Sequence, residues 1–361
     1  MDRAVERIGI DLIDQPEVQA ELLIVLGHSY WSIAEHQKSE SMQRRALHLS
    51  RNIEGGELPL VAESLSGLAL SLRDQGKRSE SESALREALA MQRKLFGSES
   101  SEVAGTLRDL GMVLPIEKKS EAETFEREAL AIRRKLYGNG NREVADSLNR
   151  LAGVLDENHI GEAESLLREA VAIMRKISPN SSETILAASL YSLAVNLQHQ
   201  GKLPEAEAAA NESLRVMSKA TGTGSSWTVS PFYRLIVILD KQGKTQELEE
   251  LFQQYPIPST GRPGYRADLH YSRAELLSDK GNLLEAESSY REALAIRQQI
   301  LGENNPLTIE TRDRLIDVLE REGKQLEAET VRRKAAKAAG TLPPQTNDSE
   351  NWTDETPNTA R

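Results

Sequence analysis

Six histidines, a glycine-rich TGTGSS stretch and a recurring pair of glutamates are the residues of this 361-residue chain whose types could do chemistry. Metal catalysis needs ligands at close, fixed spacing, and His28, His36, His48, His159, His199 and His270 form no HExxH or comparable set. TGTGSS at 221–226 loosely matches a phosphate-cradling loop, yet no strand pattern precedes it and no lysine follows at the required offset. It reads as a connection between helices. The EAE glutamates recur once per repeat, and a catalytic pair copied at seven sites has no mechanism behind it. They mark the start of helices, where carboxylates interact favourably with the helix dipole. With no cysteine there is no disulfide, thiolate metal site or cysteine nucleophile. No enzyme and no cofactor is expected.

The glutamates reveal the organisation. Glu82, Glu123, Glu164, Glu207, Glu249, Glu287 and Glu329 follow one another at steps of 38 to 43 residues. The clearest copy spans 121–155. Ala122, Phe125, Ala129, Ile132 and Leu136 set one apolar stripe at helical spacing; Gly138, Asn139 and Gly140 break it; Leu148, Leu151, Ala152 and Leu155 begin a second. Each copy is a helical hairpin, and a sustained period near forty indicates a stacked α-solenoid. The chain is expected to be all-α, with a leading helix at 1–14 and an array over 15–340. About eight antiparallel pairs fill that array, at 17–52, 60–97, 102–138, 143–178, 183–220, 227–255, 266–302 and 306–337. The sixth pair departs most, running into Pro256, Pro258, Gly261, Pro263 and Gly264, a cluster that cannot continue a helix. The polar tail 341–361 has too few apolar residues to offset the entropy of ordering and is expected to be disordered. It contains an NWT glycosylation match at 351–353, a pattern that arises often by chance.

The charge balance, 45 basic against 56 acidic residues, argues against a nucleic-acid partner, which calls for a basic face. The start has no apolar core of signal-peptide length, and no run approaches the roughly 18 apolar residues of a membrane span. No membrane partner is expected, and a cytoplasmic location is.

Ala69, Ala152, Ala194 and Ala274, the turn glycines Gly76, Gly201, Gly243, Gly281 and Gly323, and the second-helix alanines Ala122, Ala163, Ala206, Ala286 and Ala328 resemble the tetratricopeptide repeat. REALAIRRKLYG and REALAIRQQILGENNP are similar to the roughly 42-residue variety of kinesin light chains and many bacterial proteins. The resemblance covers about 17–337. It implies a right-handed superhelix, a protein or peptide partner, and a groove lined by the first helix of each pair. The leading segment MDRAVERIGIDLIDQPEVQAELLIVLGHSYWSIA resembles the segment joining certain bacterial serine/threonine kinases to their repeat tails. An alternative function is therefore a regulatory or docking region of such a kinase, whose Gly-rich loop, HRD and DFG are absent from this chain.

The buried stripe of the fourth repeat fixes a register that leaves Ser66, Arg108, Asn149, Tyr191, Tyr233, Tyr271 and Asp313 at one groove-facing position. Three successive tyrosines stand out in a chain with eight, because tyrosine offers a rigid face and a hydroxyl to another chain. Arg73 and Arg108 lie toward the start; Glu275, Glu310, Asp313, Asp317 and Glu320 toward the end. The expected groove runs from weakly basic through aromatic to acidic, and would take an extended or helical peptide whose cationic part sits at the acidic end. The same spacing also fits tyrosines that only pack against the next repeat, and carboxylates that only solvate a terminal face. Kinesin light chain grooves favour acidic peptides, a preference that only Arg73 and Arg108 match here.

Overall fold

The computed structural model describes residues 2–53, 59–177 and 184–338; the expected tail and its NWT match lie outside the described residues. Every regular element among them is helical. Packing divides the chain into two compact units, Met1–Gly222 and Thr223–Arg361.

The first unit opens with α1 (Asp2–Asp11) and continues as hairpins: α2 (Pro16–Ser32) with α3 (His36–Asn52), α4 (Pro59–Asp74) with α5 (Arg78–Phe96), α6 (Ser101–Val113) with α7 (Lys119–Tyr137), α8 (Arg142–Val154) with α9 (Ile160–Ile177), and α10 (Thr184–His199) with α11 (Leu203–Thr221). Within this unit α3, α5, α7 and α9 each also pack on the first helix of the next pair, so the core runs on from hairpin to hairpin. Leu47, Leu65, Leu85, Leu89, Val103, Leu107 and Ala129 belong to one buried cluster spanning three hairpins. This is how a repeat too small for its own core folds: it buries its apolar edges against its neighbours.

Charges reinforce the stacking. Arg86 and Arg93 of α5 reach Glu121 and Glu128 of α7 at 2.7 Å each. Arg127 and Arg134 of α7 reach Glu162 and Glu169 of α9 at 2.8 Å. Arg168 and Arg175 of α9 reach Glu205 and Glu212 of α11. The two glutamates of EAE therefore divide their work. The first, in the opening helical turn, accepts from the preceding second helix. The other accepts a lysine from the turn of the following hairpin, as Glu82 does from Lys118 and Glu164 from Lys202.

The second unit contains α12 (Val229–Lys241) with the short α13 (Thr245–Gln254), α14 (Pro263–Asp279) with α15 (Leu283–Leu301), and α16 (Pro306–Arg321) with α17 (Gln325–Ala338). Pro263 and Gly264 begin α14 instead of belonging to the loop before it, because proline at the first helical position gives up a donor that has no partner there anyway. The preceding loop folds back on Ser226–Val229. Gly261, at φ 112°, lies so close that an added Cβ would stand 3.1 Å from the Ser226 carbonyl oxygen and 2.8 Å from Val229, so only glycine fits. Phe232 packs against Phe252 of α13 and Tyr255 just beyond it, with ring centroids 5.6 and 6.0 Å away.

Candidate functional site

In the first unit, the residues predicted to face the groove lie on first helices and are half-buried: Arg73 at the end of α4, Arg108 in α6, Asn149 in α8 and Tyr191 in α10. The two arginines do not form a basic patch. Arg73 pairs with Asp74 at 2.8 Å, and Asp74 also accepts the Trp31 indole N–H at 2.7 Å. Arg108 donates to Asp109 at 2.8 and 3.0 Å. Each cation is matched by the carboxylate beside it, so this stretch is polar and near neutral.

Beneath α6 and α8 lies a residue that the first-helix register missed. Glu126, from the second helix α7, is 1% exposed, and its Oε2 has no hydrogen-bond partner. It presses against Gly111 of α6, where an added Cβ would come within 2.7 Å of Oε1. Burial pushes its carboxyl up to about 7, against the pull of Arg150, Arg133 and Arg108. Arg133, also buried, donates to the Ser147 hydroxyl at 2.6 Å, while Arg150 pairs with Asp146 at 2.9 Å. The matching residue of α3, Gln43, is fully buried between Gly27 and Gly67 with its own Oε1 unpartnered, and Asn149 Oδ1 is likewise without a donor. The signal was available in the sequence. The residue before the arginine of each REALA-like stretch is apolar at Leu85 and Leu167 but polar at Gln43, Glu126 and Tyr290.

In the second unit the aromatic and acidic residues come together. Tyr233 of α12 stacks on Tyr265 of α14, centroids 4.5 Å apart and planes 12° off parallel, and the Arg262 guanidinium caps Tyr265 at 5.5 Å. Tyr271 of α14 lies under the guanidinium of buried Arg297 at 4.6 Å and meets Tyr290 edge-on at 5.8 Å. Its hydroxyl donates to Glu310 of α16 at 2.9 Å, and burial together with that carboxylate pushes its pKa up to about 12. Tyr290 donates to Glu275, which Arg314 also approaches at 3.4 Å. Arg297 ties three helices together by donating to Asp268 at 2.8 Å, the Thr311 hydroxyl at 2.6 Å and the Leu307 carbonyl at 3.1 Å. Tyr233 and Tyr271 each keep a half-exposed face, whereas Asp313 and Asp317 are exposed and Asp317 is held only loosely by Arg321 at 3.5 Å.

Among the described residues no cluster of three or more histidine, aspartate or glutamate side chains could hold a metal ion, and no helix is long and apolar enough to cross a membrane. His159 pairs with Asp156 at the turn before α9, and burial lowers the pKa of His270.

No curated protein matches the chain. Among solved structures it is similar to BtubC (BKLC) from P. vanneervenii, at 22% identity over 60% of this chain and 88% of that one, with a TM-score of 0.53. It is also similar to the apo form of RapI, at 15% identity over 78% and 98% with a TM-score of 0.56. A putative kinesin light chain from Podosopora anserina with nearly identical TPR-like repeats matches at 21% identity over 55% and 95%, TM-score 0.48. The first two likenesses show the fold. Family models described as tetratricopeptide repeat match residues 18–94, 62–135 and 265–339, and a further one of that description matches 186–225. These segments cover more than half of the sequence, and the chain belongs to the tetratricopeptide repeat family.

Proposed function

We propose that this chain is a non-enzymatic interaction scaffold whose first helices bind a peptide or a protein segment. The observation that carries this reading is the surface of α14 and α16, where half-exposed Tyr271 donates to Glu310 with Glu275 close by, and where Asp313 and Asp317 of α16 are exposed. A rigid aromatic face next to exposed carboxylates suits an apolar residue flanked by lysine or arginine. Tyr233, stacked on Tyr265, adds a second aromatic face within the same unit. In the first unit, Arg73, Arg108, Asn149 and Tyr191 supply a polar lining. Asn149 Oδ1 and Glu126 Oε2 are acceptors without donors, and a ligand N–H would satisfy either one if the helices gave way slightly.

The test is selection from a random peptide library on the full chain, followed by affinity measurement on variants. Peptides rich in lysine or arginine beside an apolar residue are expected, with affinity reduced at least about tenfold by Asp313→Lys with Asp317→Lys, roughly 1.4 kcal/mol. Tyr191→Ala with Tyr233→Ala should weaken binding without loss of helix content by circular dichroism. Selected peptides that bind the wild type and the charge-reversed variant equally would refute the assignment of the acidic face.

A further inference from the structure

Helix α2, PEVQAELLIVLGHSYWS, is apolar on more than one side, a pattern that calls for cover all round. Toward α3, Leu23, Ile24 and Tyr30 are buried with Met42 and Ala46. Away from α3 the cover is incomplete. α1 lies there, buried at Ile8 and held by the Gln19 side-chain amide donating to the Ile8 carbonyl at 3.1 Å. Leu22 and Val25 nevertheless remain 39% and 58% exposed. With Ile8, Leu12 and Leu26 they line an apolar cleft of about 440 Å³, and Arg7 and Asp11 stand at its edge. In α4, the next first helix, Val61, Leu65, Leu68 and Leu72 are all buried.

The charges around the cleft select among occupants. Asp11, Asp14, Glu17 and Glu21 are exposed on α1, α2 and the turn between them, and Arg7, the cation that lines the cleft, is paired with Asp11 at 2.9 Å, which leaves Asp14, Glu17 and Glu21 in excess. A second copy of this chain would bring the same four carboxylates against them. We propose that the cleft between α1 and α2 docks an amphipathic helix of another protein, its apolar stripe on Leu22 and Val25 and its flanks rich in lysine or arginine. None of the first-helix residues assigned to peptide binding above lines this cleft, so the two sites stand or fall separately.

The probe is a synthetic helical peptide of leucine and lysine with one apolar stripe, with a control in which every lysine is replaced by glutamate. Fluorescence anisotropy on the full chain carrying Asp313→Lys with Asp317→Lys, which closes the acidic face of α16 to the same probe, is expected to show saturable binding of the lysine peptide that weakens as salt rises, and binding of the glutamate peptide at least about tenfold weaker. Val25→Asp should abolish binding. Glu17→Lys with Glu21→Lys, which alters exposed side chains only, should weaken it at least about tenfold, with the circular dichroism spectrum unchanged in both variants. Three results overturn the proposal: equal binding of both peptides, binding of the lysine peptide that survives Val25→Asp, or absence of binding. A wild-type dimer in sedimentation that Val25→Asp dissociates would overturn it as well, since the face would then belong to a second copy.

Discussion

Replacing Glu126 by leucine should stabilise the first unit at alkaline pH and leave it unchanged in acid. The carboxyl is 1% exposed and its Oε2 has no partner, while the same place in the flanking repeats is filled by buried Leu85 and Leu167, so leucine fits the packing. Its pKa rises from an ordinary 4.5 to about 7 on folding. Below pH 4.5 both the folded and the unfolded chain carry the proton, and there is no penalty. Between 4.5 and about 7 the unfolded chain ionises first, so it binds fewer protons and stability falls as pH rises. The penalty is complete above about 7. At roughly 1.4 kcal/mol per pH unit, a separation of about 2.5 units costs about 3 kcal/mol. That value already includes the attraction of Arg150, Arg133 and Arg108, which holds the rise in check. The assay is urea unfolding of the wild type and Glu126→Leu from pH 4 to pH 8.5, followed by circular dichroism. The stability difference should be near zero at pH 4 and grow to about 2–3 kcal/mol in favour of leucine by pH 8. A difference independent of pH, or a leucine variant less stable at pH 8, would refute the reasoning.

Glu164 shows the opposite sign. Hydrogen bonds from Lys202, Gln200 and Arg168 pull its carboxyl down to about 2, so its contribution is fully present above 4.5 and is lost as pH falls toward 2. Glu164→Gln should cost about 1 kcal/mol or less at pH 7 and nothing near pH 2, as read by thermal melts at both pH values. Gly27→Ala would push a methyl to within 2.4 Å of the Gln43 amide nitrogen, and Gly67 on the other side leaves that side chain no room to move. A loss of about 1–3 kcal/mol is expected, and shortening Gln43 to alanine in the same chain should recover part of it, a coupling that a double-mutant cycle measures. Arg297→Ala should destabilise the second unit by about 3–5 kcal/mol by leaving Asp268 without its cation. Arg297→Met should cost less, because buried Met174 and Met217 occupy the matching places in the first unit. Limited proteolysis of each variant locates the loss.

The hairpins were legible in the sequence because their signals are local and repeated. Apolar residues three and four apart, glycines after each helix and a glutamate every forty or so residues all agree. The turn glycines Gly76, Gly201, Gly243, Gly281 and Gly323 all adopt positive φ, as the pattern required. Neutralisation of Arg73 and Arg108 depended on adjacent carboxylates that were visible in the sequence, but pairing between neighbours depends on rotamers. Glu126 and Gln43 escaped for a different reason. A register drawn along first helices cannot show a second-helix side chain that reaches between two of them. The start of α14 at Pro263 was missed because a dense proline and glycine cluster reads as loop throughout, whereas its last members open a helix.

The arginine–glutamate rungs between second helices have a consequence for how such a chain can change length. Arg86 and Arg93 meet Glu121 and Glu128, while Arg127 and Arg134 meet Glu162 and Glu169. Excising 101–141 would present the first two arginines with the last two glutamates at the same offsets. The coupling between modules is thus interchangeable, and whole hairpins could be lost or duplicated without redesigning the seam. What each such event would alter is the private set of inward residues, Gln43 in one module and Glu126 in another, so copy number and ligand preference are free to change on different terms.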